Sequence, residues 1–97
     1  MADLAYIVTL RAQTGKSELL GEALAEMLGL TRQEPGCVIA ELHQSGDDPL
    51  TWMVYERWRD QQAFASHMEQ PHTVRFVARM GELLGAPADV RPFKHHA

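Results

Sequence analysis

His67 and His72 lie five positions apart with Pro71 between them, and an imidazole titrates near neutral pH, which suits either ring to take up or return a proton. One of them facing a cavity as a neutral base is the catalytic reading. A histidine that caps or hydrogen-bonds at a helix break is the structural one. The pair is not the i, i+4 arrangement of a zinc-protease helix, and the sequence offers no third ligand an obvious place, so no metal is expected. Glu56 alternates with Val54 and Trp58 on one face of a strand pattern, which aims a carboxylate into apolar surroundings where it must be paired, hydrogen-bonded or raised in pKa. It either forms an ion pair with Arg57, Arg59 or Arg75 or orients a histidine. Trp52 and Trp58 serve as core, or as flat walls on which a planar ligand stacks.

Other candidates carry less. Cys37 is the single cysteine, which rules out an intrachain disulfide and a cysteine-rich metal site, and its neighbours Val38 and Ile39 make it a small buried hydrophobe. Asp47-Asp48 before Pro49 reads as a turn. His95-His96 near the C-terminus could chelate stray metal. Gly15-Lys16-Ser17 lacks the earlier glycine of a phosphate-binding loop, since Leu10 stands in its place. The net charge of -4 and pI near 5.6 argue against a nucleic-acid or membrane-surface partner. No apolar run approaches a membrane span or a secretory leader, so a cytoplasmic location is expected.

These side chains need a scaffold, and 97 residues suffice for one domain, 1–97, that buries about two thirds of its extended surface. Leu4 to Ala12 reads as a strand in which Tyr6, Val8, Leu10 and Ala12 share a face. From about Lys16 to Gln33, Leu20, Leu24, Met27, Leu28 and Thr31 recur at helical spacing opposite Glu18, Glu22 and Glu26, and Pro35-Gly36 ends the run. Strands over Cys37–Gln44 and Thr51–Trp58 flank a turn of hairpin length. Asp60 is an N-cap candidate for a short helix carrying Ala63, Phe64, His67 and Met68, and Pro71 restarts a second carrying Thr73, Phe76, Val77, Met80 and Leu84. Asp89 to Lys94 forms a last strand that Pro92 assigns to an edge.

Strand, helix, strand, strand, broken helix, strand is the split βαβ order, giving an α+β, ferredoxin-like antiparallel sheet with its helices on one face. Met53 and Tyr55 make the other face partly apolar as well. A homodimer pairing those faces would cover them.

The segments Glu34-Pro-Gly-Cys37, Asp48-Pro49, Tyr55-Glu-Arg-Trp58-Arg-Asp60, Ala63-Phe64, His67, Pro71-His72 and Phe76 resemble the antibiotic biosynthesis monooxygenase family, which includes quinol monooxygenases and anthrone oxygenases. The resemblance runs from about Tyr6 to Phe93. It implies a dimeric ferredoxin-like barrel that oxygenates a phenolic or quinol substrate with O2 and without metal, flavin or haem. Glu56, Trp58, His67 and His72 match the family's pattern residues. Ala40 replaces a tyrosine common in the family. The first strand lacks the asparagine of the haem-degrading branch, so haem cleavage is not expected.

Such chemistry requires a base, a dry cavity and walls that exclude water. The catalytic assignment is His72 or His67 as base with Glu56 orienting or compensating charge, and Trp58, Trp52, Tyr6, Phe64, Phe76 and Met80 contacting a small aromatic substrate. The rivals are a noncatalytic small-molecule-binding dimer and an isomerase or lyase acting on a polar metabolite. The second rival requires Arg75, Arg79 or Arg91 to point inward.

Overall fold

The structure, a computed structural model, describes residues 3–97. In chain order it contains β1 (Leu4–Arg11), α1 (Ser17–Thr31), β2 (Cys37–Gln44), β3 (Thr51–Trp58), α2 (Gln61–Met68), α3 (Pro71–Leu83) and β4 (Asp89–Lys94). The strands form one antiparallel sheet in the order β2-β3-β1-β4, which is the ferredoxin-like topology. β4 lies at an edge, where the missing N–H of Pro92 leaves no ladder bond unmade on the outer side.

Local signals account for most boundaries. Gly15 adopts φ +85, a left-handed value that a residue without Cβ takes freely, and it turns β1 into α1. Asp60 caps α2 by accepting the Ala63 N–H at 2.8 Å. Pro71 opens α3 as its first residue, and Gln70 before it is extended, as the proline ring requires. Two ends differ from the sequence pattern. α1 is shorter at both ends than 16–33, and Leu84, placed on the α3 stripe, instead bridges to Ala12. The Asp47-Asp48 turn is a turn in fact, with Asp48 accepting from Leu50 N–H, the Thr51 hydroxyl and Arg11.

The core lies between the sheet and the helices, built from Leu10, Ala12, Leu20, Leu24, Leu28, Ala40, Val54, Phe76 and Leu83. Val8 faces Val54 and Val90 in register, and Tyr6 faces Glu56, so one strand parity carries the core and the candidate site together. The opposite parity, with Ile7, Met53 and Tyr55 half-buried and Phe93 49% exposed, has no helix over it among the described residues. No helix among the described residues is long and apolar enough to cross a membrane.

Candidate active site

The turn after α1 is tight enough to carry a side chain under the helices. Glu34 donates its N–H to Thr31 O at 3.0 Å, and its own carbonyl accepts from Cys37 N–H at 3.1 Å. Gly36 then passes so close to α2 that a Cβ there would collide with Ala63, and its carbonyl accepts from Arg59 N–H at 2.9 Å. The result is a Glu34 carboxylate beneath the junction of α2 and α3. His67 reaches it from the last turn of α2, and His72 from the first turn of α3.

Both imidazoles meet one carboxylate oxygen. Glu34 Oε2 lies 2.8 Å from His67 Nδ1 and 2.7 Å from His72 Nε2, with side-chain exposures of 9%, 5% and 11% respectively. An ionised carboxylate only accepts hydrogen bonds, so each of these nitrogens donates. In neutral His67 the proton therefore sits on Nδ1 and the lone pair on Nε2, an assignment that follows from the hydrogen bonding. The Thr73 hydroxyl, 3.3 Å from Nδ1, steadies the same edge of the ring. Nε2 makes no hydrogen bond, yet no fully buried side-chain nitrogen or oxygen among the described residues lacks a partner. It therefore borders open space.

That space is a cavity of about 110 Å³ between the sheet, α1 and the α2–α3 pair, walled by Val8, Leu24, Val54, Phe64, Phe76 and Met80 among others. Glu56 and His67 are the ionisable groups in its lining. The Trp58 ring lies 4.6 Å from the His67 ring, centroid to centroid, and its Nε1–H donates to Glu56 Oε1 at 3.0 Å. Burial pushes the Glu56 carboxyl above its usual pKa, opposed by the Trp58 hydrogen bond and the nearby His67. The cavity thus presents a lone pair from one side and an acid held toward its neutral form from another.

The expected residues divide into groups. Phe64, Phe76 and Met80 line the cavity with Glu56 and His67. Trp58 is fully buried and supports His67 and Glu56 from beneath the wall. Tyr6 stacks on Phe64 at 3.8 Å and lies outside the lining. Trp52 shares the strand parity but sits at the other end of β3, against Gly21 of α1, where its Nε1–H donates to Ser17 Oγ at 3.0 Å. His72 lines an outer groove instead of the cavity.

Glu56 neither pairs with an arginine nor hydrogen-bonds a histidine, although its carboxyl lies close enough to His67 to interact with it electrostatically. Its partner is Trp58, not an arginine, and the group that orients the histidines is Glu34. Nor does an arginine line the cavity: Arg79 pairs with Glu82, Arg91 with Asp89, and Arg75 borders an external groove. Glu34 was not among the expected site residues. Its signal in the sequence was its place in the Glu-Pro-Gly-Cys segment, where a turn sets it directly before β2. Cys37 is half-buried, and desolvation together with Glu56 and Glu34 raises its thiol pKa, which keeps it a poor nucleophile.

Fold and site together define a ferredoxin-like α+β protein with a carboxylate-held histidine at the wall of an apolar cavity. Residues 4–79 match the family model for antibiotic biosynthesis monooxygenase. The chain is 35% identical over 75 residues to "Putative monooxygenase YcnE" of Bacillus subtilis, a match covering 77% of this chain and 78% of that protein. It is 28% identical over 64 residues to "Uncharacterized protein sll1783" of Synechocystis, of whose length it spans 44%, less than half. Among solved structures, PA3566 from Pseudomonas aeruginosa superposes with a TM-score of 0.95 at 29% identity, covering 100% of this chain and 97% of that one. The chain belongs to the antibiotic biosynthesis monooxygenase family.

Proposed function

We propose that the protein is a cofactor-independent monooxygenase that oxidises a quinol or related phenolic molecule with O2. The observation that carries this reading is the position of His67, one nitrogen bound to Glu34 and the other bordering an apolar cavity. Triplet O2 reacts slowly with closed-shell molecules, so the substrate must first become electron-rich. Nε2 of His67 takes the phenolic proton, and Glu34 stabilises the imidazolium that forms, as a buried carboxylate does for a catalytic histidine. The phenolate passes one electron to O2, and the radical pair joins as a ring-carbon peroxide. Loss of the proton from that carbon and cleavage of the O–O bond leave a carbonyl on the ring and one water. For a quinol the sum is quinol plus O2 giving hydroxyquinone plus water. In this mechanism Glu56, held toward its protonated form by burial, supplies the proton that leaves with the distal oxygen.

The cavity size supports a substrate of few rings. An engineered apolar cavity of ~150 Å³ admits benzene, and about 110 Å³ here is of that order, whereas a three-ring anthrone would require the walls to move. A second copy pairing through the Ile7, Met53, Tyr55 and Phe93 face completes this reading, since an apolar sheet face of this kind is covered in soluble proteins.

Oxygen uptake with one-, two- and three-ring quinols in chelator-treated buffer tests it. Uptake of one O2 per quinol, fastest for the smallest rings and lost in His67→Gln, is the expected result. Undiminished uptake after His67→Gln and His72→Gln together, or no uptake with any quinol, overturns it.

A further inference from the structure

The contact of two imidazoles with one carboxylate oxygen offers more than an oriented base. Glu34, His67 and His72 come from three separate segments, and their donor atoms all lie within 4.8 Å of one another. No third ligand stands beside the two histidines in the chain; the turn at Glu34 supplies it from 33 positions away. We propose that Glu34 Oε2, His67 Nδ1 and His72 Nε2 form a site for a divalent transition metal of the zinc class, and that its occupation takes His67 out of service as a base.

The donor set fits such an ion. Two imidazoles and one carboxylate are borderline-soft ligands that suit Zn2+ in tetrahedral coordination, with water in the fourth position. With bonds of about 2.0–2.1 Å, donors around a tetrahedral ion stand about 3.3 Å apart. The two nitrogen–oxygen contacts at 2.8 and 2.7 Å therefore open by about half an ångström, and the two ring nitrogens, within 4.8 Å of each other, close toward the same spacing through side-chain rotations at the ends of two helices. There is also a route in. Glu34 and His72 border an open groove that leads to solvent beside Gln33, Arg59, Gln62 and Gln70, so an ion arrives without crossing the apolar cavity. Thr73 Oγ1, already 3.3 Å from Nδ1, stays next to the ligated edge of the ring.

The consequence for the cavity follows from imidazole chemistry. Without metal, Nδ1 holds the proton against Glu34 and Nε2 presents a lone pair. With metal, the Nδ1 lone pair is in the coordination bond, so the neutral ring carries its proton on Nε2 and faces the cavity as a donor. Binding and base function are then mutually exclusive. This second part rests on the function proposed above, whereas the metal site itself does not.

The test uses the full chain, stripped with chelator and titrated with ZnCl2 by calorimetry and with CoCl2 by visible absorption. The expected result is one ion per chain, with tetrahedral Co2+ bands. His72→Ala and Glu34→Gln should weaken binding by about a hundredfold or more, because loss of a direct ligand exceeds the ~10–100-fold cost of losing a supporting group. The exposed His95-His96 pair is the competing chelator, so His95→Ala/His96→Ala must leave the affinity unchanged. Histidine 15N spectra of the unmutated protein, which need no variant to fold, should show Nδ1 of one ring and Nε2 of the other shifting on zinc addition. Binding that vanishes with His95-His96 and survives His72→Ala, or no shift at those nitrogens, overturns the site. If the site binds but quinol oxidation proceeds unaltered at saturating zinc, the inhibitory consequence fails while the site stands. If quinols are not oxidised even without metal, the failure belongs to the proposed function, and the spectra still decide the site.

Discussion

His67 Nδ1 and Glu34 Oε2 meet at 2.8 Å although 33 positions separate them in the chain, and the imidazole that they hold forms part of the cavity wall. In the function proposed above, His67 is a base whose tautomer is chosen by this buried acceptor. Mutating the acceptor should therefore change the reaction more than the binding.

Glu34→Ala should lower kcat for quinol oxidation by about a hundredfold, the low end of general-base contributions, with little change in KM. Steady-state oxygen uptake reads both constants. A rise in KM at constant kcat would place Glu34 in substrate binding instead.

Gly36→Ala should destabilise the fold by about 1–3 kcal/mol, the usual range for overpacking, because the new methyl meets Ala63. Urea unfolding measures the loss. Combining it with Ala63→Gly should recover part of that stability, and an additive double variant would show that the collision is relieved elsewhere.

Glu56 predicts a pH dependence with a definite sign. Its folded pKa is raised above the ordinary 4.5 by burial, so between the two values the folded state binds more protons than the unfolded state, and stability falls as pH rises. That contribution is complete below the ordinary value and is lost as pH passes the folded one. In urea unfolding across that window, Glu56→Gln should abolish this part of the slope. Trp58→Phe removes the indole donor to Oε1, so it should push the falling region to higher pH and cost about 1–3 kcal/mol from the acceptor left without its partner.

Met53→Asp or Tyr55→Asp on the open sheet face should dissociate a dimer without unfolding the chain, because neither side chain belongs to the core between sheet and helices. Sedimentation velocity distinguishes the two states, and far-UV circular dichroism should stay unchanged. A single sedimentation coefficient shared by wild type and variants would remove the pairing through this face.

The order of strands and helices, the Asp60 cap and the Pro71 restart were all readable in the chain, because each depends on residues within a few positions of one another. Strand alternation likewise placed Val54, Glu56 and Trp58 on one face. Even the Glu56–Trp58 hydrogen bond was within reach, since side chains two apart on a strand point the same way.

Alternation does not say which helix covers which end of a strand. Trp52 and Trp58 share a parity, yet the first packs on Gly21 of α1 and the second under His67 of α2. The convergence of Glu34, His67 and His72 belongs to the same class of fact. It depends on a turn without a side chain at Gly36 resting against Ala63, and on two helices meeting over that turn. The sequence alone determined the elements and their faces through local sterics and periodicity. Tertiary packing decided which carboxylate holds the histidines, because hydrogen bonds across more than thirty residues form only where the docking of whole elements brings their donors and acceptors together.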